Sequence, residues 1–305
     1  MSFEITILGS SAAVPVKGRH MTSQHVRIGN QQFLIDCGEA TQHQLINLGI
    51  SLHKIEHIFI SHLHGDHFFG LPGLLSTMNM QRRTDPLYIH GPRGLDEVLL
   101  ASFKHTKTDL SFKVFLYDNP TMFPEVIYEN EKITVETIPL THRVPCTGFL
   151  FREKQKQHRI IPEKLPSGLP FEAFRALKRG EDIDFQGEKI FYKNVTLPPR
   201  KSRSYAFCSD TKYSKSVISK VYGVDVLYHE STFMHRHLER ANTTFHTTAK
   251  QAGTVAKEAK VGELLIGHFS ARYGDLNTLL EEAREEFPTT ELAKEGKQFS
   301  ILERD

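Results

Sequence analysis

Four metal-ligand side chains fall within six residues, in the run His62-Leu-His64-Gly-Asp66-His67, directly after the short apolar stretch His57-Ile-Phe-Ile60. This run constrains the fold more than any other feature of the chain. In an extended or turning loop alternate residues share a face, so His62 and His64 point the same way. Asp66 and His67 lie just beyond, at the start of the next element. One short loop can thus present two ligands to one metal and two to another. Neutral imidazole and carboxylate are the ligand types zinc accepts. A loop doing only structural work has no need of three imidazoles at this density.

A two-metal site needs further ligands from distant loops, and candidates stand at the ends of other predicted strands. His142 follows a strand at 133–138. Asp210 follows one at 204–208, and His268 follows one at 263–267. A single His or Asp after a strand is more often a cap or a satisfied polar group. The order in which these three follow the first loop gives them weight together.

The rest of the pattern is that of a mixed α/β protein. Strands are predicted at 3–8, 32–36, 57–60, 87–90, 113–116, 133–138, 148–151, 204–208, 224–229 and 263–267. Helices are predicted at 39–48, 70–80, 93–104, 214–222, 247–259 and 275–286. Two packed sheets with helices outside fit this order. Apolar residues make up 39% of the 305 and charged residues 24%, ordinary for a globular protein able to bury a core.

Charge is not evenly spread. The whole chain carries a formal +2, which excludes a polycation and confines any nucleic-acid surface to a local patch. The patch candidate lies between Arg152 and Gly180, where eight Lys or Arg stand against three Glu. Pro162, Pro166 and Pro170 prevent one long helix there, while Phe171 to Lys178 has the spacing of a short one. The segment reads as an arm, 152–181, inserted into a single domain spanning 1–305. The alternative reading of such a charge run is a solvated surface loop.

Cys37, Cys146 and Cys208 form no CxxC pair, which argues against a thiolate zinc site or a disulfide framework and suits a reducing compartment. The opening MSFEITILGSS alternates like a strand and has no signal-peptide form. No apolar run approaches the roughly 20 residues of a membrane helix. A cytoplasmic protein with no membrane partner is expected.

The motif order HLHGDH, then His142, Asp210 and His268, resembles the metallo-β-lactamase superfamily. The details resemble its short-form ribonuclease Z (tRNase Z) family across nearly the whole chain. They are LGSSAAVPVKGRH at 8–20, IDCGEATQ at 35–42, HRVPCTGF at 142–149, SDT at 209–211, HESTF at 229–233, FHTTAKQA at 245–252 and HFSARY at 268–273. The chain departs from that family in two places. His20 stands where the family often has Asn, at a substrate contact. In the arm, only Gly168-Leu-Pro170 and Gly180 answer the family's glycine-spaced Gly-Pro motif, which bears on tRNA affinity.

The resemblance implies a four-layer αββα sandwich and a zinc-dependent endoribonuclease that removes the 3′ trailer from precursor tRNA. His62, His64 and His142 would hold one Zn²⁺; Asp66, His67 and His268 would hold the other; Asp210 would bridge. Two zincs about 3.5–4 Å apart activate water near neutral pH. Asp66 would orient that nucleophile or take its proton. His246, partnered by Glu230, would protonate the leaving 3′-oxygen. Arg272 and Ser270 would hold a phosphate. Lys164, Arg175, Lys178 and Arg179 would grip tRNA from the arm. The products would be a tRNA 3′-hydroxyl and a trailer with a 5′-phosphate, made by a homodimer; no other protein partner is implied. Two alternatives stand beside this: a hydrolase of small substrates such as phosphodiesters on the same fold, and a non-catalytic RNA-binding scaffold.

Overall fold

A computed structural model describes residues 1–304. Fourteen strands build two seven-stranded sheets. In chain order they are β1 (Phe3–Gly9), β2 (Ser23–Ile28), β3 (Gln31–Ile35), β4 (Ile55–Phe59), β5 (Leu87–Gly91), β6 (Val114–Asp118), β7 (Val126–Glu129), β8 (Ile133–Leu140), β9 (Cys146–Glu153), β10 (Ser204–Cys208), β11 (Val226–Glu230), β12 (Glu263–Gly267), β13 (Thr290–Leu292) and β14 (Gln298–Ser300). The first sheet has the order β14-β1-β2-β3-β4-β5-β6 and the second β13-β12-β11-β10-β9-β8-β7. In the first, β3 to β6 run parallel. In the second, β10 to β13 run parallel and β7 to β10 antiparallel.

Strand alternation makes the layers. On β3, Phe33 and Ile35 enter a cluster shared by both sheets, with Ile5, Phe59, Phe149, Phe207 and Leu265. Leu34, between them, turns outward to meet Leu45, Leu74 and Leu99 from helices Thr41–Asn47, Leu71–Met80 and Leu95–Thr106. On β12, Leu264 and Ile266 face outward onto Ala252, Val255 and Leu279 from helices Ala249–Glu258 and Asn277–Glu286. The result is the expected four-layer αββα sandwich.

Several short elements lie beyond the sequence expectation. Strands β2, β7, β13 and β14 and the helix Leu238–Thr244 were not expected. The excursion from the second sheet also differs from the predicted 152–181. Arg152 and Glu153 belong to β9, paired with Ser204 and with Ile133, so the chain leaves the sheet after Glu153 and returns at Ser204. Between them lie a two-stranded pairing of Arg159–Ile160 with Thr196–Leu197, the helix Phe171–Arg179, and a hairpin of Ile183–Phe185 with Glu188–Ile190. Leu177 is the helix's buried anchor. No helix of the described residues is long and apolar enough to cross a membrane.

Candidate metal centre

Strand polarity brings the predicted ligands to one edge. β4 ends just before His62, and the four-residue helix Gly65–Phe68 carries Asp66 and His67. β8 ends before His142, β10 before Asp210 and β12 before His268. In α/β sheets the crevice beyond the strands' carboxyl ends is where ligands bind. Here both sheets contribute such ends, and they close on a cleft of about 600 Å³ lined by His64, Asp66, His142, Asp210, His246 and His268.

The seven predicted ligands meet in two groups. His62, His64, His142 and Asp210 form one, and Asp66, His67 and His268 the other. His62 Nε2 is 3.0 Å from His64 Nδ1, which is 3.2 Å from His142 Nε2. His67 Nε2 and His268 Nε2 face each other at 3.2 Å. Asp210 lies between the groups. Its Oδ2 is 3.6 Å from His62 Nε2 and 3.7 Å from His142 Nε2; its Oδ1 is 3.6 Å from His67 Nε2 and 3.2 Å from His268 Nε2.

The outer hydrogen bonds fix what the inward nitrogens carry. His67 Nδ1 donates to Asp36 Oδ2 at 2.7 Å. His142 Nδ1 donates to the Phe245 carbonyl at 2.9 Å. Thr232 Oγ1 gives its proton to Glu230 Oε2 at 2.7 Å, so it accepts from His268 Nδ1 at 2.9 Å. Ser61 Oγ gives its proton to Asp36 Oδ2 at 2.9 Å, so it accepts from His62 Nδ1 at 3.0 Å. Each imidazole that is neutral therefore turns a bare Nε2 lone pair into the cluster. Lone pairs 3.2 Å apart repel unless a cation lies between them. Asp210 Oδ1 is buried and accepts no hydrogen bond, the same demand from the oxygen side. An N/O donor set of this kind, without thiolate, fits divalent zinc.

The electrostatics agree. Burial opposes charge on His67, but the carboxylates of Asp66, Asp210 and Asp36 outweigh it and push the imidazole up to about 10. The field that draws a proton to Nε2 draws a divalent cation in its place. Burial would raise Asp66, yet His67, His268 and the Ala13 N–H hold it well below the usual carboxylate range. That N–H donates to Asp66 Oδ2 at 2.7 Å.

At the cleft wall, His246 Nδ1 lies 2.9 Å from Glu230 Oε1. Glu230 is fully buried and also accepts from the backbone N–H of Thr211 at 3.1 Å and of Thr232 at 3.0 Å. Burial opposes charge on both partners, and their attraction overrides it: His246 rises to about 9 and Glu230 falls to about 2. Arg272 and Ser270 also line the cleft, with Arg272 Nε donating to Ser270 Oγ at 3.2 Å and the guanidinium 5.2 Å from the Phe233 ring centroid.

Other predicted contacts sit elsewhere. Lys164, Arg175, Lys178 and Arg179 are exposed on the excursion and do not line the cleft. Arg175 pairs with Glu172 at 3.3 Å, and Arg179 makes two hydrogen bonds to Glu181 at 2.8 Å. His20 is held away from a free role by Glu295, which takes its Nδ1 and its backbone N–H at 2.6 Å each.

Sequence reasoning did not single out Asp36, Ser61, Thr232 or the Ala13 N–H. Three residues at the cluster adopt left-handed backbone without being glycine: Ala13 (φ 60°), Asp36 (φ 54°) and His268 (φ 58°). Such conformations persist where surrounding contacts over-determine them, often at functional sites. No side-chain pattern announces them.

The two stacked sheets, with paired His/Asp clusters at their shared edge, define a metallo-β-lactamase-fold hydrolase. Residues 3–160 match the family model described as anti-Pycsar protein Apyc1. That match includes His62 to His142 and ends before Asp210, Glu230, His246 and His268. A ribonuclease Z of Cytophaga hutchinsonii is 48% identical over 100% of this chain and 98% of its own. One of Bacteroides fragilis is 45% identical over 98% of this chain and 99% of its own. Among solved structures, human tRNase Z, short form, superposes with a TM-score of 0.72 at 25% identity, covering 98% of this chain and 99% of that one. YhfI of Bacillus subtilis, a metallo-β-lactamase fold protein, gives 0.70 at 19%, covering 98% and 99%. The chain belongs to the ribonuclease Z family, and its first half carries the domain that the Apyc1 model describes.

Proposed function

We propose that the protein is a zinc-dependent endoribonuclease that cuts the 3′ trailer from precursor tRNA. The observation that carries this reading is the convergence of the His67 and His268 Nε2 atoms on the unsatisfied Asp210 Oδ1, beside an ion-paired His246 and Glu230. Two Zn²⁺ ions fit the two groups: His62, His64 and His142 for one, Asp66, His67 and His268 for the other, with Asp210 facing both. Metal ions so held supply a nucleophile from water near neutral pH and positive charge for the phosphoryl oxygens.

The chain's own groups do the remaining work. Asp66, ionised and pinned by the Ala13 N–H, aims the attacking water and can take its proton. His246, kept protonated by Glu230, delivers a proton to the leaving ribose 3′-oxygen, which departs poorly without one. Arg272 and Ser270 bind a phosphate oxygen. The products are a 3′-hydroxyl on the tRNA and a 5′-phosphate on the trailer.

Lys164 and Lys178 are exposed on the excursion and, with Arg175 and Arg179, form the contact surface for the tRNA body. A homodimer would present one subunit's arm to the other's cleft. The exposed Ile46, Leu48 and Met80, around the neighbouring helices Thr41–Asn47 and Leu71–Met80, support such an apolar contact. Three cysteines buried as free thiols suit the cytoplasm.

Incubation with a precursor tRNA carrying a 3′ trailer, with and without chelator, tests the reading. The expected result is one chelator-sensitive cut at the trailer junction with the stated ends. Metal-loaded protein that leaves the precursor intact but hydrolyses a small phosphodiester would shift the assignment to a small-substrate hydrolase.

A further inference from the structure

The cleft has one wall that a phosphodiester backbone does not use. Phe69 follows the helix bearing Asp66 and His67, and the residue is 66% exposed while lining the same cleft as His64 and Asp66. A large aromatic left in water beside a charged centre wants a partner with an apolar face. Its pose is built, not incidental. A Cβ on Gly65 would come within 2.3 Å of the Phe69 ring, so residue 65 is free of a side chain where the ring rests on the loop between His64 and Asp66. Behind it, the buried Phe68 packs at a centroid distance of 4.8 Å. Val14, 51% exposed, and Pro15 line the cleft as further apolar surface.

The same cleft is lined by Arg143, Arg240 and Arg272. Cations suit phosphates, and an exposed ring beside them suits a base. Unpaired nucleobases stack on aromatic side chains whatever their sequence, because every base offers a π-face. Single-stranded RNA is recognised largely in this way.

We infer that Phe69 is a stacking platform for an unpaired nucleobase flanking the scissile phosphodiester. This rests on the proposed ribonuclease reading and deepens it: the ring selects a nucleotide chain over a bare diester and sets where along the strand the cut falls. Phe69 is a specificity residue, since the chemistry belongs to the groups around the metal cluster.

The test pairs protein variants with altered RNA. Precursor tRNAs carrying an abasic site at the last retained nucleotide, or at the first trailer nucleotide, are cleaved by wild type, Phe69→Leu and Phe69→Trp. Stacking is worth about 1–3 kcal/mol per base, so removing the right base lowers wild-type kcat/KM roughly fivefold to 150-fold. Phe69→Leu, apolar but without a π-system, loses that sensitivity and gains at most about twofold from the base. Phe69→Trp recovers it. The chain has no tryptophan, so the emission of Phe69→Trp reports the contact directly, with quenching on binding intact RNA and none with the abasic RNA. Equal abasic penalties in wild type and Phe69→Leu at both positions would overturn the inference. So would a change of oligomeric state in Phe69→Leu, which would assign the ring to a subunit contact. Wild type failing to cut intact precursor would instead remove the ribonuclease reading itself.

Discussion

His67 turns its Nε2 into the cluster because Asp36 holds its Nδ1, and Asp36 is held for that task by Ser61. The Ser61 backbone N–H donates to Asp36 Oδ1 at 2.7 Å, and its hydroxyl donates to Oδ2 at 2.9 Å. Asp36→Asn removes the negative charge and leaves the ring free to turn. Partners of this kind are worth tenfold to a hundredfold in metal affinity. Asp36→Asn should therefore weaken zinc binding by about that factor in a competition titration with a chromogenic chelator, and wild-type affinity would contradict the orientation argument. The His246–Glu230 pair makes a separable prediction. In the proposed mechanism the acid form of His246 is the active one, so cleavage should fall as pH rises through its pKa. Glu230 lifts that pKa towards about 9, and bound metal cations draw it down. Glu230→Gln takes away the largest attraction and must move the alkaline limb to lower pH. Single-turnover rates against pH on an RNA leaving group measure it; an unmoved limb would remove Glu230 from this role. The His and Asp side chains that cluster in the cleft were legible in the sequence because their residue types crowd at strand ends. Asp36 and Thr232 were not, since their task is to hold the far nitrogen of another residue's ring, and only the fold decides which ring that is.

Among elements, the junction at which the chain leaves and re-enters the second sheet is held by one buried ion pair. Arg203 donates from Nε and from its backbone N–H to Glu153 Oε2 at 3.0 Å each, from Nη1 to the Ile301 carbonyl at 2.8 Å, and from Nη2 to the Met1 carbonyl at 2.8 Å. It thus joins the end of β9, the start of β10 and both chain ends. Breaking a buried pair from one side leaves a charge without compensation, at a cost of about 3–5 kcal/mol. Arg203→Ala should lose stability of that order in urea unfolding, and a loss below about 1 kcal/mol would refute the clamp. Burial would raise Glu153, but Arg203 and Lys156 hold it below the usual carboxylate range. A depressed folded-state pKa means this stabilisation is present above the ordinary carboxylate range and is lost as pH falls through the folded value. The strands that sequence reveals are those with an apolar face, as in β1, or two, as in β12. β2 escaped because Gln24, His25 and Arg27 interrupt it. Each finds a partner: Gln24 Oε1 accepts from the Tyr205 hydroxyl of the other sheet, while His25 meets Gln32 of β3 at 3.0 Å and Arg27 meets Glu4 of β1 at 2.8 Å. β13 and β14 span three residues each, too few for a period to register.

At the scale of the whole molecule, a chain of formal charge +2 must bind a polyanion with a small part of its surface, and the excursion after Glu153 supplies most of the local excess. Its cations are not equivalent. Arg175 and Arg179 already face Glu172 and Glu181 across exposed pairs, so phosphate must compete with a carboxylate for each. Lys154 and Lys156 are turned back to Glu129 and to Glu153 and Glu303. Lys164 and Lys178 are exposed and pair with no carboxylate among the described residues. Each phosphate neutralised releases counterions and adds roughly 0.7–0.9 to the slope of log K against log salt. Removing Lys164 and Lys178 together should flatten that slope by about one to two for precursor tRNA, measured by binding across a salt series with a His246→Ala protein to prevent turnover. Removing Arg175 and Arg179 should flatten it less, because their departure also frees two glutamates to repel the RNA, which weakens binding without releasing the same ions. An unchanged slope in the double lysine variant would mean that the tRNA body never touches the arm, and that the affinity resides in the arginines of the cleft.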